Sequence, residues 1–317
     1  MKICILGAGA LGCVIGGALT EAGHTAWLVN RSAALVGTLN DRGLLLREAG
    51  VDRTVRVQAA TGCAAVAAAC GPVDLLVVLV KSFHTEAAIA GARALVGPQT
   101  AVLSLQNGLG HEDVLAAAIG PGHVLAGKTY LGGTVLAPGH VIAGIEGKET
   151  VIGELDGTRS PRAERIARAF SDARLATAVS DNIYGVIWDK LFVNVATGAL
   201  SGITGLPYGT LYDVPEIEEC AVAAVAEAMA VARATGIRVA TTDPREPWRK
   251  AAAGLPPEFK ASMLQSLEKG SVTEIDYVNG SVVRWGQRAG VPTPVNRTLV
   301  ACLKGRERTL ARPETLA

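Results

Sequence analysis

Lys2-Ile3-Cys4-Ile5-Leu6 is a short apolar strand that runs straight into Gly7-Ala8-Gly9-Ala10-Leu11-Gly12. A helix-like run follows over residues 11–21, and a second strand-like run over 25–29. This order constrains the chain more than any other feature. A strand apolar at every position from Ile3 to Leu6 belongs inside a parallel sheet covered on both faces. The spacing gives each glycine its own role. Gly7 permits a tight turn, Gly9 lets backbone approach a pyrophosphate, and Gly12 lets helix and strand close together. The helix then presents N–H groups and a partial positive charge to an anion. Strand, glycine loop, helix and strand in sequence predict dinucleotide binding on Gly7, Ala8, Gly9, Ala10, Leu11 and Gly12. The competing reading is a secretory signal, with Lys2 before an apolar stretch and Cys13 after a small residue. The glycines oppose it, because they interrupt the continuous helix such a signal prefers, and no clear cleavage site follows Leu19.

With 317 residues, 49% of them hydrophobic and 19% charged, the chain can bury two cores and is not disordered. No stretch approaches the roughly 18 uninterrupted apolar residues of a membrane span. A net charge of +1 gives no electrostatic reason to expect nucleic acid or an anionic membrane as partner. Six cysteines, scattered without a C-x-x-C pair, read as small buried hydrophobes in a reducing compartment, the cytoplasm. Five histidines lack ligand spacing, so no metal site is expected.

Residues 73–80 form a continuous apolar run that ends in Lys81-Ser82-Phe83-His84, and residues 101–105 another that ends in Gln106-Asn107-Gly108. Ligands of open α/β sheets bind beyond the carboxyl ends of strands, so both ends are candidate site positions. Short β-like pieces fill 124–155, a helix 160–173 and one more strand 175–179. Helical periodicity then dominates over 183–200, 214–235, 257–268 and 272–289. These shifts predict an α/β dinucleotide-binding domain over 1–178 and a mostly helical substrate domain over 179–317. The later helices, read as poor in polar residues, leave room for a homodimer.

No acid follows the second strand until Asp41; Asn30-Arg31 stands there instead. Arg31 at that place suits a ribose 2′-phosphate and hence NADP, with Lys81 as a second positive charge, although Arg31 also fits a solvated loop residue. On the helix after Asp181, Lys190, Asn194, Thr197 and Ser201 fall at i, i+4, i+7 and i+11 among apolar neighbours. That pattern predicts a buried helix whose polar stripe faces a cleft, with a desolvated lysine that needs a partner or a chemical role.

Taken together, the glycine loop, Arg31, Lys81, Asn107-Gly108, the Trp188-Asp189-Lys190-Leu191 to Asn194 segment and the late block resemble the ketopantoate reductase (2-dehydropantoate 2-reductase) family. That block holds Ser262-Met263-Leu264-Gln265, Lys269-Gly270, Thr273-Glu274-Ile275-Asp276-Tyr277 and Asn279-Gly280. The resemblance implies an α/β fold, a Rossmann-type doubly wound sheet followed by a helical domain like the C-terminal domain of 6-phosphogluconate dehydrogenase. It implies an NADP-dependent oxidoreductase acting on CH–OH groups, reducing a small 2-oxo acid, 2-dehydropantoate in the biosynthesis of pantothenate. Lys190 and Glu274 match the catalytic lysine and glutamate, Glu274 also bordering the cofactor. Asn107, Asn194 and Ser262 match positions that orient substrate or the nicotinamide ribose. Taken singly, Glu274 fits a surface carboxylate and Ser262 a helix cap. Gly198 and Tyr208 depart from the family's asparagines, which removes amide bonds to the distal end of the substrate. Two other readings are a paralogous reductase of another branched or hydroxylated 2-oxo acid, and a non-catalytic NADP-binding sensor.

Overall fold

The computed structural model describes residues 1–310. They divide into two compact units, Met1–Gln106 with His111–Ile183, and Asn107–Gly110 with the chain from Tyr184 onward.

Twelve strands lie in the first unit: β1 (Lys2–Leu6), β2 (Thr25–Val29), β3 (Leu44–Glu48), β4 (Val51–Val55), β5 (Gln58–Ala60), β6 (Leu75–Val78), β7 (Ala101–Ser104), β8 (Val124–Thr129), β9 (Gly132–Ala137), β10 (His140–Gly144), β11 (Thr150–Glu154) and β12 (Thr177–Val179). Eight of them form one sheet in the order β12-β11-β8-β7-β6-β1-β2-β5. Every pairing in it is parallel except β8 with β11. β1 sits between β2 and β6, with Ile5 opposite Leu28 and Val77. Alternation explains its unbroken apolar sequence. Ile3 and Ile5 enter one core with Leu28, Leu75 and Val77, while Cys4 and Leu6 enter the other with Val29, Leu76 and Val78.

A second, four-stranded sheet, β4-β3-β10-β9, was not legible in the sequence beyond the β-like pieces of 124–155. The helix Ala10–Glu21 packs against both sheets. Gly16 faces Leu28 of the first and Gly17 faces Leu44 and Leu46 of the second, at distances that leave no room for a side chain. The continuous run of 73–80 shortens to β6, because Leu79 leaves the strand to pass beside the glycine loop.

The second unit is helical. Its longest helix is Ile183–Thr204, followed by Pro215–Ala234, Glu246–Ala252, Ser262–Glu268, Asn279–Ala289 and Pro294–Leu310 among others. The predicted helix over 272–289 is interrupted: a 3-10 turn, Ile275–Tyr277, precedes the helix Asn279–Ala289. The last helix is also not poor in polar residues. Asn296, Leu299, Leu303 and Glu307 are buried, whereas Arg297, Arg306 and Arg308 are exposed. Its start is held by Glu227, whose carboxylate accepts the backbone N–H groups of Val295 and Asn296 at 2.8 and 3.0 Å.

A methyl group on Gly12 would stand 2.3 Å from the carbonyl oxygen of Gly7, and backbone cannot yield there as a flexible side chain can. Gly12→Ala is expected to destabilise the chain by about 1–3 kcal/mol, read as a lower thermal midpoint by circular dichroism. Gly9→Ala, with no protein atom within 4 Å of the added carbon, is expected to leave that midpoint unchanged.

Candidate active site

The first unit builds an anion cradle at the end of β1. Gly7 has φ +110°, and a Cβ there would lie 2.7 Å from the backbone of Leu79 and Val80, so only glycine fits the turn. Gly9 differs. Its φ is ordinary, but the space in front of it is open. It forms the N-terminus of a 12-residue helix with no side-chain cap and no acid in its first turn. A backbone that turns open space and a helix N-terminus outward fits a dinucleotide's phosphates. Asn30 braces this loop: its amide donates to the carbonyl of Ala8 at 2.8 Å and accepts the N–H of Ser32 at 2.9 Å.

Beside it, Arg31 is exposed and its Nη2 lies 3.4 Å from Nε2 of His84. Lys81 is also exposed and begins the 3-10 turn Ser82–His84. Gln106 ties neighbouring strand ends together, donating to the carbonyl of Val80 and to the hydroxyl of Thr85, both at 2.8 Å. Arg31, Lys81 and His84 therefore gather positive or ionisable groups beyond β2 and β6. Arg31 and Lys81 were expected together from their strand ends, whereas His84 carried no signal beyond following a strand end.

In the second unit, the predicted stripe on Ile183–Thr204 splits in two. Lys190 and Asn194 are half-buried rather than fully buried. Thr197 and Ser201 are buried and use their hydroxyls internally. Thr197 donates to the carbonyl of Val193 and accepts the Tyr208 hydroxyl at 3.0 Å; Ser201 donates to the carbonyl of Leu206 at 2.8 Å. Burial raises the Tyr208 pKa, with the Thr197 hydrogen bond acting in the other direction, so the phenol stays neutral and donates.

The helix is anchored on either side of this stripe. Trp188 is fully buried and meets Trp285 edge-on at 5.8 Å. Asp189 accepts the N–H groups of Ala240 and Thr241, each at 2.9 Å. That role was invisible in the sequence because its partners lie 51 and 52 residues away.

Glu274 is half-buried at the start of the 3-10 turn Ile275–Tyr277. Asn107, exposed, is brought to the same turn: Leu109 donates to the carbonyl of Tyr277 at 2.9 Å, and Gly108, φ +99°, lies too close to that carbonyl for any Cβ. Ser262 is exposed as the first residue of Ser262–Glu268 and caps nothing with its side chain, which corrects the capping reading. Its neighbour Met263 packs on Gly198 of the long helix. Asn107 and Glu274 thus share one turn, while Ser262 joins the helix that carries Lys190 and Asn194.

Two family models match the chain, Ketopantoate reductase PanE/ApbA over residues 3–157 and Ketopantoate reductase PanE/ApbA C terminal over residues 182–307. The chain belongs to the ketopantoate reductase family. A 2-dehydropantoate 2-reductase of Halobacterium salinarum is 33% identical over 94% of this chain and 96% of its own. Another, of Pyrococcus abyssi, is 32% identical over 97% and 98%. Among solved structures, a PanE/ApbA family ketopantoate reductase from Ralstonia eutropha superposes with TM-score 0.88 at 34% identity, covering 98% of this chain and all of that one. D-mandelate dehydrogenase with NADH and anilino(oxo)acetate superposes at 0.87 and 26% identity, covering 99% and 100%. Family membership makes the chain an oxidoreductase with a Rossmann-type sheet and a helical C-terminal domain. Among the described residues, no three His, Cys, Asp or Glu side chains cluster to hold a metal, and no helix is long and apolar enough to cross a membrane.

Asp189→Ala leaves two backbone N–H groups without their acceptor. It is expected to cost about 1–3 kcal/mol, measured by urea denaturation, with dinucleotide affinity in the native protein unchanged.

Proposed function

We propose that the chain reduces a 2-oxo acid to its 2-hydroxy acid with NADPH, 2-dehydropantoate to pantoate being the reaction its relatives are named for. The observation that carries this reading is the half-buried pair Lys190 and Asn194, one turn apart on a helix most of whose other residues are buried. When bound, NADPH supplies the hydride for the substrate's carbonyl carbon. Lys190 Nζ delivers a proton to the carbonyl oxygen and stabilises the negative charge that develops there. Glu274 holds the lysine and borders the cofactor. Asn194, Asn107 and Ser262 orient the carboxylate and carbonyl or the nicotinamide ribose.

The preference for NADP rests on Arg31, Lys81 and His84 beyond β2 and β6, where an NAD site commonly has an acid for the ribose hydroxyls. Fixed positive charge is suited to a 2′-phosphate. The cradle at Gly7 to Gly12, through Ala8, Ala10 and Leu11, takes the pyrophosphate. Substrate chemistry belongs to the helical part, which the sequence bounds at 179–317. A cytoplasmic, reducing setting agrees with cysteines that are all free among the described residues. A homodimer remains part of the proposal through the family.

A second reading, reduction of another 2-oxo acid, is favoured by the neighbour that binds anilino(oxo)acetate. The sensor reading is disfavoured because Lys190 and Glu274 are both retained.

Lys190→Ala is expected to lower kcat by about 10²–10⁴-fold in an NADPH absorbance assay, with NADPH affinity by fluorescence retained. Near-normal turnover removes the proton-donor role. Arg31→Ala is expected to weaken NADPH binding about tenfold, the loss of one charge-assisted hydrogen bond, while NADH binding is unchanged. An equal loss for both cofactors removes the 2′-phosphate role.

A further inference from the structure

We infer that Gln106 is a positioning residue that clasps the loop of residues 81–84 and so sets the preference for the phosphorylated cofactor. This deepens the NADPH reading above and rests on it. The loop follows β6, and its residues divide between two sides. Lys81 and Phe83 are exposed and His84 is half-buried, whereas Ser82 and the next residue, Thr85, are fully buried. The grip on the loop comes from the buried side.

One amide holds both ends. Gln106 Nε2 donates to the carbonyl of Val80, just before the loop, and to the hydroxyl of Thr85, just after it, each at 2.8 Å. The chemistry of the partners fixes the direction. The Val80 carbonyl can only accept. The Thr85 hydroxyl gives its proton to the carbonyl of Ser82 at 2.8 Å, so toward Gln106 it accepts. The Gln106 carbonyl in turn accepts the hydroxyl of Ser104 at 3.2 Å. Within the loop, Ser82 Oγ lies 3.5 Å from Nε2 of His111. All five side chains are buried, and a buried hydrogen-bond network rigidifies the backbone that it ties.

The glycine turn does not depend on this clasp. Leu79, whose backbone walls Gly7, is held by its own N–H on the carbonyl of Leu6 at 2.8 Å, and Leu105 donates to the carbonyl of Val78 at 3.2 Å. Losing the Gln106 bonds therefore frees the loop that carries Lys81 and leaves the pyrophosphate cradle in place. NADPH and NADH share the pyrophosphate and differ at the ribose 2′ position, so the clasp acts on one cofactor and not the other. A residue that only held the fold together would affect both alike.

The test measures NADPH and NADH affinities by nicotinamide fluorescence in the wild-type chain and in Thr85→Val, Thr85→Ser and Gln106→Met. Thr85→Val keeps the shape of the side chain and removes the acceptor, whereas Thr85→Ser keeps the hydroxyl. In Thr85→Val the ratio of NADPH to NADH affinity is expected to fall about tenfold, the loss of one charge-assisted contact, with NADH affinity unchanged. Thr85→Ser is expected to retain the wild-type ratio, and Gln106→Met to lose at least as much as Thr85→Val. A wild-type protein that binds both cofactors equally overturns the NADPH reading and the inference with it. Where the wild type prefers NADPH, a Thr85→Val protein that keeps the preference, or weakens both cofactors alike, overturns the inference alone. A Thr85→Ser protein that loses the preference does the same. If Gln106→Met does not fold, the Thr85 pair decides.

Discussion

The contact between Gly12 and the carbonyl of Gly7 is the constraint on which the first unit depends. At 2.3 Å from a would-be Cβ, it exists only because Gly12 carries no side chain. It lets the helix Ala10–Glu21 start directly against the end of β1, the strand flanked by β2 and β6 near the middle of the sheet. Everything placed beyond those strand ends follows from that start. Asn30 can reach back to Ala8, and Arg31 can meet His84, because β2 and β6 run parallel to β1 in fixed register. The cradle is thus a product of close packing rather than of any catalytic residue.

A different economy governs the helical unit. There the long helix carries polar groups in a stripe that periodicity alone describes as uniform. Burial separates them by function. Thr197 and Ser201 satisfy backbone and phenol partners inside the protein, as buried hydroxyls must. Lys190 and Asn194 stay half-buried.

Local patterns made much of this legible, and long-range contacts hid the rest. The glycine loop, β1, β6, β7 and the helices Ile183–Thr204 and Pro215–Ala234 follow from apolar periodicity and glycine spacing. The sheet formed by β3, β4, β9 and β10 does not, because β3 and β10 pair far apart in the sequence, Leu45 opposite His140. Asn107 reads as a strand end, but its place beside the Glu274 turn depends on Gly108 meeting Tyr277. Likewise the packing of Met263 on Gly198 joins two helices far apart in the sequence. The family resemblance supplied roles for Lys190 and Glu274 that no periodicity contains.

Three consecutive residues show how a packed helix aims one side chain. Successive residues on a helix point about 100° apart, so Trp188, Asp189 and Lys190 look in three directions. Trp188 is locked in the core against Trp285 and Phe192. Asp189 is held by two backbone N–H groups from the segment after the helix Pro215–Ala234. With two of the three directions fixed, the rotation of the helix is fixed as well, and the third direction belongs to Lys190. The direction of Lys190 from the helix is therefore set by its two neighbours, one apolar and one anionic.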